Sequence, residues 1–140
     1  MGRDALAPLL PLKGESFMSR FIWAIGAIIA LFICFLIAEH FAREIHFHTG
    51  YPRFLFFVGI PLLVILMIFN AHKAMIFVVI GYIIGFLLGI MFGEYIYYPE
   101  LNYGRHNWWG IWTQWFLIFI AIGLTWEFAV RVKNRRSQKD

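Results

Sequence analysis

Charge is scarce in this 140-residue chain, and cysteine is nearly absent. Charged residues make up 14% of the sequence and hydrophobic ones 61%, against about 25% and about 45–50% in a typical soluble domain. A globule this small has a high surface-to-volume ratio and nowhere to hide so much apolar surface from water. An ordinary soluble domain is thereby excluded, and lipid is the expected solvent. Cys34 is the single cysteine, which rules out an intrachain disulfide and any zinc site made of thiolates. Set midway along an apolar run, it behaves as a small hydrophobe. Serine is confined to Ser16, Ser19 and Ser137. Neither a phosphate-cradling loop, an HExxH pair, a nucleophile elbow nor a Cys–His pair is found. All five histidines fall at the edges of the apolar runs or between them, where they cannot clamp a haem between two spans. The expectation is a protein that is not an enzyme and carries no cofactor.

Four apolar runs fill most of the chain, at about 21–38, 52–69, 74–93 and 108–130. A helix crossing a bilayer needs about 20 residues, within a range of roughly 17–25. The fold class predicted is all-α, a bundle of four transmembrane helices. Pro61 lies inside the second run and is expected to kink it. Only Asn70, Ala71, His72 and Lys73 separate the second run from the third, so those two helices must form an antiparallel hairpin.

Cations set the orientation, because Lys and Arg accumulate on the cytoplasmic side of membrane spans. With four spans, Arg3, Lys13, Arg20, Lys73, Arg131, Lys133, Arg135, Arg136 and Lys139 share one side, and Arg43, Arg53 and Arg105 share the other. Both ends are therefore predicted in the cytoplasm, with a cytoplasmic segment over 1–20, a membrane domain over 21–130 and a basic tail over 131–140. Met18-Ser19-Arg20 reads as a bacterial start, and Lys13-Gly14-Glu15 as a translated ribosome-binding site. Residues 1–17 are accordingly expected to be a non-native leader, and the location a bacterial inner membrane. On the outer side, Tyr95, Tyr97, Tyr98, Tyr103, Trp108, Trp109 and Trp112 read as an aromatic belt at headgroup level.

The most specific pattern is Gly81, Gly85, Gly89 and Gly93, one glycine at every fourth position. Residues four apart share a helical face, so the glycines line a groove about 18 Å long. Glycine weakens a helix, and four in register require the offsetting gain of close backbone packing, as in a glycine zipper. Gly26 and Ala30 make a matching pair on the first span, which is one candidate for an internal partner. Self-association through the groove is the other.

Three weaker constellations remain. His40, Glu44 and His48 fall at i, i+4 and i+8 if the first helix continues, a ligand set suited to zinc. The outer two are about 12 Å apart along the axis, so at most two could reach one ion, with help from Glu94, Glu100 or His106. The competing explanation is a surface helix with ordinary i,i+4 pairs, Glu39–Arg43 and His40–Glu44, capped by Gly50. Glu127 is the one carboxylate set within an apolar run, and Arg131 one turn on is its expected partner. Finally, Arg131, Lys133, Arg135, Arg136 and Lys139 would attract anionic lipid or RNA phosphates, although no aromatic residue is interleaved to stack on bases. The simpler role is a topological anchor.

The reading these residues support is a small non-catalytic integral membrane protein that self-associates, or serves as a subunit of a larger membrane complex, through its glycine-lined face. An oligomeric channel or transporter, a His/Glu metal site outside the cytoplasm, and a tail docking anionic lipid or RNA stand as alternatives. No Asp, Glu, His, Lys or Arg lies at the middle of any span, which weighs against proton-coupled transport.

Overall fold

The computed structural model describes residues 17–45, 50–101 and 103–137. It consists of helices α1 (Phe17–Glu44), α2 (Gly50–Ile68), α3 (His72–Phe92) and α4 (Trp108–Ser137), with a small hairpin of strands β1 (Tyr95–Tyr98) and β2 (Tyr103–His106) between the last two helices. The helices number 28, 19, 21 and 30 residues. Each is long and apolar enough to cross a membrane.

The helices outrun the apolar stretches where polar residues still support the turn. Beyond Ala38, α1 continues through Glu39 and Arg43, which pair at 2.8 Å. Glu127 and Arg131 do the same for α4 at 3.0 Å. Both are i,i+4 pairs, the spacing at which helical side chains meet. α2 remains one helix through Pro61, which lies on its exposed face.

The link after α3 is more ordered than a plain connection. Tyr95 pairs with His106 and Tyr98 with Tyr103, antiparallel, and the Asn107 N–H donates to the Glu94 carbonyl at 2.8 Å. The run Tyr95-Ile96-Tyr97-Tyr98 is made of residues that favour strands. Closing the hairpin brings the start of α4 back beside the end of α3.

Helix α3 is the centre of the molecule. α4 lies along one side of it and makes little contact with α1 or α2, which pack on the other side. The four helices are thus layered about α3 rather than closed into a ring. Leu31, Leu63, Met75, Val78, Tyr82, Trp112 and Phe116 form the core. Large apolar side chains such as Ile33, Phe57, Leu117 and Trp126 point outward, as suits a chain whose solvent is hydrocarbon. At the α1–α2 contact Leu31 fills the space a side chain at Gly59 would need, its Cδ2 being 2.8 Å from an ideal Cβ there.

Candidate functional site

Two constructions join α4 to the rest of the chain, and both rest on residues singled out above. The first is the glycine face of α3. A Cβ at Gly81 would stand 2.6 Å from the Phe119 Cβ, at Gly85 2.8 Å from Trp112 Cδ1 and 3.0 Å from the Trp112 carbonyl oxygen, and at Gly89 2.8 Å from the Trp108 carbonyl oxygen. A Cβ at Gly93 would overlap the Trp108 ring. Glycine is required here because the backbone and aromatic rings of α4 occupy the room any side chain would take. Trp108, Trp112 and Phe116 recur at every fourth position on α4, so large residues on one helix meet small ones on the other. Farther along the contact Gly123 of α4 lies against Ala74, an ideal Cβ falling 3.0 Å from the Ala74 Cα.

The partner of the glycine face is therefore α4, and the expected match with Gly26 and Ala30 of α1 is not made. A Cβ at Gly26 would meet nothing within 4 Å. Trp112 also departs from the interfacial role expected of it. It is 1% exposed, its indole N–H donates to the Tyr82 carbonyl at 2.8 Å, and its ring meets Tyr82 edge-on at 5.1 Å. The Tyr82 phenol in turn donates to the Pro52 carbonyl at 2.8 Å, linking α3 to the first turn of α2. A buried indole or phenol needs such a partner. Trp108 donates to the Gly93 carbonyl at 3.3 Å, and Trp109 stacks on Tyr51 at 5.6 Å.

The second construction closes the turn between α2 and α3. Asn70 has φ 54°, the left-handed conformation that asparagine tolerates better than most residues. The Ala71 N–H donates to the Leu66 carbonyl and the Asn70 N–H to the Met67 carbonyl, at 2.8 and 3.0 Å. This pair of bonds is a Schellman ending, and it leaves the last carbonyls of α2 unmatched. Arg131 supplies the donors: its guanidinium bonds the carbonyl of Phe69 and, at 2.7 Å, that of Asn70. Glu127, holding Arg131 Nε at 3.0 Å, also accepts the Lys73 N–H at 3.0 Å in the first turn of α3. A cation thus sits at the C-terminus of α2 and an anion at the N-terminus of α3, each matching the helix dipole it faces.

Arg131 is consequently not a free tail cation. At 4% exposure it belongs to the bundle, and its expected role toward lipid or RNA is corrected to that of a cap. Of the others in that group, Lys133 and Arg136 are exposed on the last turns of α4, Arg135 is half-buried, and Lys139 lies outside the described residues.

At the opposite end, Glu39 is 8% exposed and its Oε1 accepts from Arg43 at 2.8 Å and Arg53 at 2.6 Å, clamping the end of α1 to the start of α2. Of the proposed metal ligands, only His40 and Glu44 fall within the described residues. His40 and Glu44 are exposed, His48 lies outside the described residues, and among the described residues no group of three His, Cys, Asp or Glu is placed to hold a metal ion.

Sequence reasoning identified the Glu127–Arg131 pair but not what it caps, and it missed Tyr82, Asn70 and Gly123. The Trp108–Trp112–Phe116 spacing, complementary to the glycines, was the available signal for the α3–α4 contact. Compared with protein families, curated proteins and solved structures, the chain has no match. What defines its class is the fold itself: four helices that each suit a bilayer, with polar side chains gathered at their ends, the build of a small multi-pass integral membrane protein.

Proposed function

We propose that the protein is a non-catalytic membrane subunit, with both ends in the cytoplasm, that joins a second copy or a larger membrane complex through the outward face of α4. The observation that carries this reading is the one-sided seating of that helix. α3 holds it along a single face, and its far side bears a shallow depression of about 660 Å³ formed by Ile118, Ala121, Ile122, Thr125, Trp126 and Ala129. Ala121, Thr125 and Ala129 repeat at every fourth position, the spacing that lets another helix approach closely in lipid. The Thr125 hydroxyl is already bonded to the Ala121 carbonyl at 2.8 Å, so the face presents a methyl and no unmet polar demand. The glycine face, filled by α4, is not free for this purpose, which moves the expected self-association to the other side of the same helix.

Orientation is supported by the cations. Arg20, Lys73, Lys133 and Arg136 gather at the end of the bundle that holds the α2–α3 turn, and the positive-inside bias assigns that end to the cytoplasm. Native mass spectrometry from a mild detergent tests the assembly. Wild type is expected as an oligomer or with a bound partner, and Ala121→Leu combined with Ala129→Leu should release the monomer without lowering its thermal midpoint. A double variant that stays assembled would remove this face from consideration.

A further inference from the structure

Past Ala38, α1 leaves the apolar stretch and has little packing to hold it. His40, Phe41, Arg43, Glu44 and Ile45 are exposed, and only Glu39 and Ala42 are buried. Helix ends of that kind open locally at almost no cost. What ties this one down is the Glu39 carboxylate, whose Oε1 accepts from Arg43 of the same helix and from Arg53 of α2. We infer that Glu39 is an acid-released latch: as a carboxylate it ties the last turns of α1 to the first turn of α2, and once protonated it lets them go.

The geometry supplies both the hold and the release. Two guanidinium groups converge on a single oxygen, at 2.8 and 2.6 Å, and the anion is what allows two cations to sit so close together. Protonation removes the charge between them and leaves like charges facing each other. The hold is therefore present at neutral pH and is lost as pH falls through the range of the carboxylate. A proton can reach the latch, because the Arg43 and Arg53 side chains are 63% and 53% exposed.

Among the described residues, the charged or titratable groups that face Glu39 are Arg43 on α1, Arg53 on α2 and Tyr82 on α3. None of them is a second carboxylate that could take over the hold. The Tyr82 phenol is bonded to the Pro52 carbonyl, which fixes the first turn of α2 to α3, so α1 is the partner that moves. Deeper in the bundle α1 and α2 meet through apolar groups that acid does not alter. Leu31 fills the space at Gly59, and Phe35 stacks on Phe56 at 4.7 Å. Release is thereby confined to the turns beyond Ala38. On the orientation proposed above this end meets the medium outside the cell, and only the side that supplies the proton rests on that reading.

Hydrogen–deuterium exchange of the full chain in nanodiscs, which expose both faces, tests the latch whichever way the chain is oriented. Protection over residues 39–45, corrected for the intrinsic exchange rate, should fall in wild type between neutral pH and about pH 3, below the ordinary carboxylate range. The expected fall is about five-fold, the factor that corresponds to about 1 kcal/mol, the upper end for ion pairs with exposed partners. Glu39→Gln copies the protonated form and should show the lower protection already at neutral pH, with no further change in acid. Arg53→Gln should do the same, since it removes the half of the latch that belongs to α2. Protection over residues 112–116 of α4 should hold throughout and so separates release from general unfolding. Wild-type protection over 39–45 that acid leaves unchanged overturns the proposal, as does Glu39→Gln protected as wild type is at neutral pH. An acid-induced loss of equal size in wild type and Glu39→Gln overturns it too. Should Glu39→Gln fail to fold, the wild-type comparison and Arg53→Gln decide alone.

Discussion

Gly81, Gly85 and Gly89 on α3 and Gly26 and Ala30 on α1 share the same four-residue spacing, but only the first set is packed against a helix of the same chain. α4 fills the α3 face so closely that no side chain fits there, while a Cβ on Gly26 would stand in open space. Small residues at this spacing permit close approach without specifying who approaches. The selection comes from the other helix: α4 carries Trp108, Trp112 and Phe116 at the same interval, and its indoles reach the carbonyls of Gly93 and Tyr82. α1 has no partner of that kind, and its groove is left facing lipid.

The sharpest test of this contrast is Gly85→Leu. Its side chain would collide with both the ring and the backbone carbonyl of Trp112, and backbone cannot step aside as a flexible side chain can. Overpacking on this scale costs about 3 kcal/mol or more, so α4 should detach. Limited proteolysis should then cut near the β1–β2 hairpin in the variant and spare wild type.

Arg131→Met comes next. It leaves Glu127, whose side chain is 14% exposed, without its cation and takes the donors from two carbonyls. Breaking a pair of this kind costs about 3 kcal/mol, which should appear as a lower thermal midpoint in detergent. Arg131→Met joined to Glu127→Gln should lose less than the single change, because no uncompensated charge remains.

Tyr82→Phe removes only the phenol bond to Pro52 and should cost about 1 kcal/mol, read from the same melting curves. Smallest of all is Gly26→Ala. With no neighbour to strike, it should stabilise by about 0.5–1 kcal/mol through helix propensity. Were Gly26→Ala to destabilise as Gly85→Leu does, the two stripes would be equivalent and the contrast drawn above would collapse.

Much of the architecture could be read from the residues. Four apolar runs of spanning length announce four helices because hydrocarbon tolerates little else, and the four-residue turn at Asn70–Lys73 fixes the hairpin. The helix ends could not be read so well, since Glu39–Arg43 and Glu127–Arg131 carry α1 and α4 past the point where hydropathy falls. Nor could the partner of the glycine face. Spacing alone leaves it open between Gly26 and Ala30 of α1 and a second copy of the chain, whereas the complement is aromatic, and two of its members, Trp108 and Trp112, read by composition as an interfacial belt. Arg131 is only half legible: its spacing pairs it with Glu127, but nothing in the sequence shows that one turn of helix sets it beside the α2–α3 turn and the other tail cations beyond it. A composition count has no way to weigh which cation faces a row of carbonyls.

The seal formed by Glu127 and Arg131 has a bearing on how the chain is built. A ribosome releases α2 and α3 well before α4, so for that interval the hairpin exists with its turn unfinished, the carbonyls of Phe69 and Asn70 and the amide of Lys73 relying on water or headgroups. Only when the last helix inserts are those groups matched from within, which makes the arrival of α4 the step that locks the earlier pair into place.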